Sequence, residues 1–490
     1  MGERLGSLPD AGRPAHSPSL IPDPPPVPLL ATVSGIRGVF GDGLDPAVIV
    51  RYASAFAAWL REGAEAPADA PRVVVGRDGR VTGDVCVRLV TATLQASGCD
   101  VVDVGLATTP TVAMAVLKHG AAGAVILSAS HNPAQWNALK LLDGRGEFLG
   151  PDEGAAVLAL AEGGADASAA RHTVGYERLG GYSTDDALPY HIEKILALPF
   201  VDAAAVAARD FHVVVDGINS VGAFALPAML EALGVRRVEV LNAEVTGRFA
   251  HDPEPLPQHL TQITSRVAES GADLGIVVDP DADRLAFVED GGRFFGEELT
   301  QVVVADFLLA KTPGPLATNL SSSRALDDVA ERYGQVVHRS PVGEIHVVRA
   351  MQRVGAVLGG EGNGGVIVPG LHYGRDALVG TAMLLTHLAE TGKRLSELRA
   401  ALPAYHIAKH KVTLSAGILP RDLLDRLAAR YAGDASARVS TADGVKVDLP
   451  EGWAHVRASN TEPILRVYAE AASPAAADAL AERFKAELLS

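Results

Sequence analysis

Ala124-Val125-Ile126-Leu127 is a short aliphatic run that leads directly into Ser128-Ala129-Ser130-His131-Asn132-Pro133. Apolar residues followed by small polar residues and a proline predict a buried strand that ends in a polar turn. Strands that are apolar throughout are typical of sheets covered by helices on both faces. This stretch therefore predicts an α/β fold in which Ser130 lies at the carboxyl end of a strand.

The same pattern repeats along most of the chain. Further short aliphatic runs occur at residues 73–75, 101–104, 213–217 and 275–279. Segments 81–97 and 111–119 lie between the early runs and carry apolar residues at helical spacing. The alternation restarts at Val213 and again near Phe294, and after Pro403 it gives way to strands with two helices. We therefore expect three tandem α/β domains with mixed sheets, followed by a C-terminal α+β domain.

These changes in pattern divide the chain into five predicted segments. They are a disordered tail at 1–28, α/β domains at 29–180, 181–290 and 291–403, and an α+β domain at 404–490. The tail holds eight of the 30 prolines, which favours polyproline II and leaves little to bury. It lacks a basic start followed by an unbroken apolar run, so it is not interpreted as a signal peptide.

The overall charge excludes one large class of partners. The 490 residues include 43 Lys and Arg against 59 Asp and Glu, a net charge of −16. Such a chain lacks the positive field that non-specific nucleic-acid binding needs, although a few clustered cations could still hold a phosphorylated ligand. Cys86 and Cys99 cannot build a disulfide framework, and no apolar run reaches the length of a membrane span. We expect a cytoplasmic protein without nucleic-acid or membrane partners.

The turn after the first quoted strand is a candidate reaction site. Ser130 would be exposed at the carboxyl end of the strand, where α/β sheets present ligand sites. It is interpreted either as a nucleophilic or phosphorylated serine or as part of an ordinary polar turn. His131 is kept as a candidate catalytic residue but not as the base of Ser130, because adjacent side chains generally diverge.

Asp279-Pro280-Asp281-Ala282-Asp283-Arg284 is a candidate metal site. Carboxylates at alternating positions of an extended segment would project to one side, and three like charges that close repel unless a cation lies between them. An EF-hand is excluded, because Arg284 stands where that loop needs glycine. Mg²⁺ completed by phosphate oxygen and water suits three carboxylates better than a Ca²⁺ cage does. The alternative is a solvated acidic turn.

Two later loops offer polar groups for a ligand. Gly359–Gly365 is rich in glycine, and its Glu361 and Asn363 suit sugar hydroxyls, although a structural hairpin explains it equally well. Residues 457–463 contain a guanidinium, two hydroxyls and an amide, which could surround a phosphate or simply form a turn. Those four groups belong to Arg457, Ser459, Asn460 and Thr461.

In this order the segments resemble the α-D-phosphohexomutase superfamily, which includes phosphoglucomutases, phosphomannomutases and phosphoglucosamine mutases. The resemblance extends from about Leu29 to the C-terminus. Besides the stretches already quoted, it includes Ser34-Gly35-Ile36-Arg37-Gly38 and Gly76-Arg77-Asp78. It implies a heart-shaped enzyme of four domains with a central cleft, to which each domain contributes a loop.

The resemblance also implies roles for individual residues. Ser130 matches the phosphorylated serine and, with Asp279, Asp281 and Asp283, a set of Mg²⁺ ligands. Arg37 and Lys140 match basic residues near the reacting phosphoryl group. The residues implied in substrate binding are Arg284, Gly343, Glu361, Asn363, Arg457, Ser459, Asn460, Thr461 and Arg466. A hexose 1,6-bisphosphate is implied as primer and intermediate.

The sequence departs from the family at two positions where histidine is common. Gly365 occupies one of them and Glu344 the other. The general acid or base is therefore open, with Lys140 as first candidate and Glu344 and His346 behind it. The Glu-Gly-Asn-Gly-Gly loop followed by Tyr373-Gly374-Arg375-Asp376 resembles a branch assigned to glucosamine phosphate.

The predicted activity is interconversion of a hexose 6-phosphate and its 1-phosphate, with glucosamine 6-phosphate as the preferred sugar. Phosphoglucomutase or phosphomannomutase specificity is the alternative. A phosphatase that uses the same residues and a non-catalytic sugar-phosphate sensor are the rival functions. The partner is a small phosphosugar, and the protein is expected to be a monomer or a homodimer.

Overall fold

The first sheet contains the predicted serine strand at its centre. The computed structural model describes residues 29–32, 35–62, 70–163, 173–414, 419–458 and 464–489, so the predicted tail lies outside the described residues. The strands are β1 (Leu30–Thr32), β2 (Gly35–Phe40), β3 (Gly43–Leu44), β4 (Arg72–Arg77), β5 (Asp100–Leu106), β6 (Gly123–Leu127), β7 (Trp136–Asp143) and β8 (Tyr182–Thr184). Their order is β1-β2-β7-β6-β4-β5-β8, with β3 paired to β2.

Helices cover both faces of this sheet. They are α1 (Pro46–Glu62), α2 (Gly83–Ala96), α3 (Thr109–His119) and α4 (Pro151–Glu162). One apolar cluster joins α1, α2 and α4 to one face, and a second joins α3 to the other. β6 is buried along its whole length, as its aliphatic sequence predicts. β8 lies beyond Gly180 but pairs with β5, so the first sheet continues past the predicted domain boundary.

The second and third sheets have the same topology. The second unit contains α5 (Leu188–Leu196), α6 (Ala203–Ala208), β9 (His212–Asp216), α7 (Gly222–Ala232), β10 (Arg237–Leu241), α8 (Thr261–Ser270), β11 (Leu274–Val278) and β12 (Leu285–Glu289). Its strand order is β10-β9-β11-β12, in which only β12 is antiparallel to its neighbour. Short 3₁₀ turns lie at Tyr176–Arg178 and Pro257–His259.

The third unit repeats that arrangement. Its elements are α9 (Glu297–Leu309), β13 (Leu316–Asn319), α10 (Ala325–Arg332), β14 (Val337–Ser340), α11 (Glu344–Val354), β15 (Leu358–Glu361), β16 (Gly365–Ile367), α12 (Ala377–Thr391) and α13 (Leu395–Ala401). The strand order is β14-β13-β15-β16, and again only the last strand is antiparallel. One continuous apolar core joins the second and third units, from Ile192 in α5 to Leu398 in α13.

The C-terminal unit has a different architecture. It contains β17 (His406–Thr413), α14 (Pro420–Tyr431), β18 (Arg438–Ser440), β19 (Val445–Leu449), β20 (Gly452–Ala458), β21 (Ile464–Ala471) and α15 (Pro474–Leu489). The order is β17-β21-β20-β19-β18, and every pair is antiparallel. The predicted fold class, three tandem α/β domains and a C-terminal α+β domain, is confirmed.

The sheets place the site loops in equivalent positions. In the first three sheets, a strand that is parallel to one neighbour connects directly to an antiparallel strand on its other side. These connections are β6 to β7, β11 to β12 and β15 to β16. The connection from β20 to β21 is the corresponding hairpin of the last sheet. Each connection carries one of the predicted site segments.

The core of the C-terminal unit gives a first prediction. Phe484 in α15 is fully buried and stacks on Tyr431, with ring centroids 5.4 Å apart. We expect Phe484→Ala to lower the stability of this unit by about 3–5 kcal/mol, because the substitution leaves a cavity in the core and removes the packing contacts of a whole ring. Amide hydrogen exchange of β20 and β21 measures that loss. Leu489→Ala is the matched control on the same helix, since Leu489 is 68% exposed. An equal effect of both substitutions would contradict the packing argument.

Candidate active site

Ser130 occupies a strained position in the loop after β6. Its φ is 50°, in the left-handed region that residues with a side chain rarely adopt. The loop is fixed by Arg80, a fully buried side chain that donates hydrogen bonds to the carbonyl oxygens of Ser130, Asn132, Pro133 and Trp136. Asp78 holds the Nε of Arg80 at 3.0 Å. The buried guanidinium therefore positions the serine loop.

The three aspartates of the second unit converge behind the serine. One ligand atom from each of Asp279, Asp281 and Asp283 lies within 4.8 Å of the others, and all three residues are buried. The segment is a tight turn with Ala282 at φ 53°, so the predicted extended geometry is wrong, although the predicted convergence is observed. The turn brings the carboxylates together because Asp279 Oδ1 accepts hydrogen bonds from the backbone amides of Asp283 and Arg284.

Electrostatics make this cluster a candidate metal centre. Burial and the charges of Asp283 and Asp281 raise the pKa of Asp279 well above its ordinary value. Within the described residues, the Oδ1 atoms of Asp281 and Asp283 are buried without a hydrogen-bond partner. Converging carboxylates with unpartnered oxygens form the donor set that a hard divalent cation prefers. The three residues therefore fit a metal ion.

Ser130 and Lys140 both contact this cluster. The Oγ of Ser130 donates a hydrogen bond of 2.5 Å to Asp279, and the Nζ of Lys140 lies 2.6 Å from Asp281 Oδ2 and 3.4 Å from Asp283 Oδ2. Lys140 reaches it because β7 folds back along β6, which sets Lys140 opposite Ile126. Burial lowers the pKa of Lys140, but the two aspartates outweigh it and raise this pKa above its ordinary value. Lys140 is therefore held as a cation beside the cluster.

His131 is held as a neutral ring. Its Nδ1 lies 2.6 Å from Arg284 Nη2 and 3.4 Å from Ser130 Oγ, so the two adjacent side chains do approach each other, contrary to the expected divergence. Burial, together with the charges of Arg284 and Arg37, holds the pKa of His131 far below its usual value. Because Arg284 occupies Nδ1, His131 orients a guanidinium and is not the base of Ser130. Arg37 donates to Asn132 Oδ1 at 2.9 Å in the serine loop.

The glycine-rich loop of the third unit contains Glu361, whose two carboxylate oxygens both accept hydrogen bonds. Glu361 Oε1 accepts hydrogen bonds from Asn319 Nδ2 at 2.9 Å and the Gly343 amide at 3.0 Å. Its Oε2 lies 3.2 Å from Arg375 Nη1 and 3.4 Å from Asn363 Nδ2. These contacts bring the predicted residues Gly343, Glu361 and Asn363 together along one wall of a cavity.

Arg375 is a site residue to which the sequence assigned no role, although it lies in the quoted stretch Tyr373-Gly374-Arg375-Asp376. Its guanidinium contacts Asp283 at 2.8 Å, Glu344 at 3.0 Å and Glu361 at 3.2 Å. It thereby joins the metal turn to the sugar loop and to the first turn of α11. Burial raises the pKa of Glu344 above its ordinary value although Arg375 lies against it. Both oxygens of Glu344 are held by Arg375, which leaves this candidate base engaged.

The last unit contributes a pair of arginines. Arg457 in β20 and Arg466 in β21 are directly paired across the sheet, and both line the cavity. Asp443 accepts from Arg457 Nε at 3.1 Å and from the Val342 amide at 3.0 Å, which links this unit to the third. The remaining predicted residues of the loop, Ser459, Asn460 and Thr461, lie outside the described residues.

One cavity of about 480 Å³ connects these groups. Ser130, Lys140 and Arg284 line it at one end, the sugar loop lies along its wall, and Arg457 and Arg466 line it on the side of the last unit. The structure thus brings together every predicted site residue that it describes. His346 also lines the cavity and remains a candidate base. Two separate groups of cations around one cavity suit a ligand that carries two anionic groups.

Comparison with known proteins agrees with this architecture. Four models of the phosphoglucomutase/phosphomannomutase family match the chain in order. The alpha/beta/alpha domains I, II and III match residues 29–167, 189–292 and 296–405, and the C-terminal domain matches residues 411–487.

Individual relatives are similar over nearly their whole length. A "Phosphoglucomutase/phosphomannomutase" of Thermococcus kodakarensis is 37% identical, over 90% of this chain and 94% of that protein. A "Probable phosphoglucosamine mutase" of Methanopyrus kandleri is 35% identical, over 92% of this chain and 96% of that protein. The crystal structure of a phosphoglucomutase/phosphomannomutase family protein from Burkholderia thailandensis superposes with a TM-score of 0.80 and 28% identity, covering 93% of this chain and 96% of that one.

The contacts of Arg375 give a prediction for this site. Arg375→Met leaves Asp283, Glu344 and Glu361 without their common counter-charge, and breaking a buried ion network costs about 3–5 kcal/mol. We expect that loss in the free energy of opening measured by amide hydrogen exchange in β11 and β15. Arg349→Met is the control, because that side chain is 38% exposed and its loss should cost less than about 1 kcal/mol. Equal exchange in wild type and Arg375→Met would contradict this assignment.

Proposed function

This chain belongs to the phosphoglucomutase/phosphomannomutase family and is a phosphohexomutase, and from that premise we propose that it converts glucosamine 6-phosphate to glucosamine 1-phosphate. One observation carries the proposal of a mutase mechanism in this cavity. The Ser130 hydroxyl, which contacts the carboxylate cluster, lines the same cavity as a separate pair of arginines. A bisphosphorylated sugar needs both ends of such a cavity, whereas a simple hydrolase needs only one.

The proposed reaction is a reversible transfer between Ser130 and the sugar. The P–O bond to phospho-Ser130 breaks and a P–O bond to a sugar hydroxyl forms, which gives a hexose 1,6-bisphosphate. The hydroxyl loses a proton and the serine oxygen gains one, so the step is balanced in protons. The intermediate then turns around, and its other phosphoryl group returns to Ser130. Since phosphate monoesters react very slowly in water, the site must act by positioning and by charge neutralisation.

The chain's own residues have distinct roles in this scheme. Lys140, held as a cation by Asp281 and Asp283, protonates the departing serine oxygen. Arg37 and Arg284 neutralise charge on the phosphoryl oxygens, and Arg457 with Arg466 holds the phosphate that does not react. His346 is the candidate that accepts the hydroxyl proton. Mg²⁺ bound by Asp279, Asp281 and Asp283 would add Lewis-acid neutralisation of the transferring group.

The sugar preference rests on the loop of the third unit. Its Glu-Gly-Asn-Gly-Gly sequence and the following Tyr373-Gly374-Arg375-Asp376 resemble the glucosamine branch of the superfamily. The name of the Methanopyrus kandleri relative agrees with that preference, and the name of the Thermococcus kodakarensis relative indicates glucose and mannose. The loop sequence therefore carries the choice, and a substrate comparison tests it.

A comparison of three sugars is the direct test of the reaction. With Mg²⁺ and a hexose 1,6-bisphosphate primer, we expect isomerisation of the 6-phosphates of glucosamine, glucose and mannose, with the highest kcat/KM for glucosamine. Coupled assays of the 1-phosphate product and of released inorganic phosphate separate mutase from phosphatase. Stoichiometric phosphate release without 1-phosphate would show a hydrolase, and ligand binding without either product would show a sensor.

Ser130→Ala is the variant arm of this experiment. Loss of the nucleophile should lower turnover by roughly 10⁵–10⁶-fold, the order of loss when a covalent nucleophile is removed. Ser183→Ala is the control, because Ser183 is exposed on the edge strand β8. Undiminished turnover in Ser130→Ala would refute the assigned nucleophile.

The carboxylate cluster predicts a stabilising effect of the metal alone. A cation that binds only the folded protein adds about 2.7 kcal/mol at a hundred times its Kd. We therefore expect Mg²⁺ to raise the thermal midpoint of the wild type, and Asp283→Asn to lose most of that rise. Asp425→Asn, whose side chain is 72% exposed, should keep the wild-type response. Equal Mg²⁺ responses in all three proteins would contradict the metal assignment.

A further inference from the structure

Among the described residues, four glutamates line the cavity, and they differ in how many hydrogen bonds and ion pairs their carboxylates make. Glu361 accepts four hydrogen bonds, and Glu344 is held at both oxygens by Arg375. Glu254 lies 3.5 Å from Arg284, at the serine end of the cavity. Glu298 is the fourth. An additional cationic group on a ligand would find the first two already neutralised by Arg375 and other donors.

Glu298 lies directly against the sugar loop. It belongs to the first turn of α9, and its carboxylate packs on Gly362, where a Cβ would overlap the carboxylate atoms. A larger residue at position 362 would displace the Glu298 carboxylate from its present position. The Oε2 of Glu298 accepts a hydrogen bond of 3.2 Å from the Ser323 amide. The acid thus lies against the loop residue that separates Glu361 from Asn363 in the chain, the two residues implied in sugar binding.

The charge of Glu298 is poorly compensated. Lys409 lies 3.1 Å from Glu297 Oε1 but 3.9 Å from Glu298 Oε1, so the lysine pairs mainly with the neighbouring acid. Burial raises the pKa of Glu298 to about 8, even though Lys409 opposes this rise. A second cation beside this carboxylate would favour the ionised form of Glu298 and would form a charge-assisted hydrogen bond with it.

We propose that Glu298 is a specificity-determining residue whose carboxylate accepts the 2-ammonium group of an aminohexose phosphate. This inference rests on the proposed function, of which it specifies the sugar recognition. A 2-hydroxyl group offers only a neutral hydrogen bond in the same place. A 2-acetamido group is neutral and offers no cation to pair with the carboxylate. Glu298 therefore favours the free amine over both alternatives.

Glu298→Gln tests the inference, because it keeps the shape and removes the charge. We expect the KM for glucosamine 6-phosphate to rise about ten- to hundredfold, the worth of one hydrogen bond to a charged group. The KM for glucose 6-phosphate should change less than about threefold, and kcat should be similar for both sugars. Glu298→Asp keeps the charge and should recover part of the preference.

Glu297→Gln is the matched control. Glu297 shares the helical turn and the lysine with Glu298, but the Glu298 carboxylate is the one against Gly362. The ratio of the two KM values should stay within about twofold of the wild type in this variant. A similar change of ratio in Glu297→Gln would overturn the inference, since a general loss of negative charge would then explain it.

The outcomes separate this inference from the proposed function. A wild type that prefers glucosamine 6-phosphate, together with an unchanged ratio in Glu298→Gln, would refute the role of Glu298 and leave the function intact. A wild type that prefers glucose, but loses its residual amine turnover selectively in Glu298→Gln, would refute the sugar assignment and support the role. An equal rise of both KM values would refute the role, because it indicates a structural effect.

Discussion

The structure depends on balancing three buried carboxylates in one short turn. Asp279, Asp281 and Asp283 are buried, and an uncompensated buried ion costs several kcal/mol against a total stability of about 5–15 kcal/mol. Arg284 follows them directly and its charge acts on Asp279, but the cations within 4 Å of the carboxylates, among the described residues, come from other units. Lys140 extends from the first sheet and Arg375 from the third unit. Charge balance therefore fixes how three units meet, before any ligand is considered.

The repeated strand order explains why the site loops can meet in this way. Each of the first three loops is a short connection from a strand to its antiparallel neighbour, so its length and direction are set by the sheet. Two of the loops contain a residue with side chain in the left-handed region, Ser130 and Ala282. Such backbone conformations cost about 1–3 kcal/mol each and persist only where surrounding contacts stabilise them. Arg80 and the carboxylate of Asp279 stabilise these two through hydrogen bonds to the loop backbone.

Features that depend on neighbouring residues could be predicted from the sequence, whereas contacts between residues far apart in the chain could not. The aliphatic runs gave the buried strands, and the spacing of the three aspartates gave the candidate metal centre, because both signals lie within a few residues. Arg375 lies 92 residues from Asp283 in the chain, and a lone arginine in a sequence looks like solvated surface. Only the resemblance placed Lys140 near Ser130, because a separation of ten residues in the sequence does not by itself predict a contact across a hairpin. Arg80 was not predicted as a site residue, because it lies 50 residues from Ser130 in the chain.

The chain is acidic overall, whereas its cavity is rich in basic side chains. At a net charge of −16 the exterior repels phosphate esters, but screening limits that field to about 8 Å at physiological ionic strength. In the part of the chain that the structure describes, seven arginines and lysines and four glutamates line the cavity. Three of the seven belong to the last unit, and the rest surround the serine and the sugar loop. Attraction is therefore local and divided between separate groups, which favours a compact ligand with two phosphates over any extended polyanion.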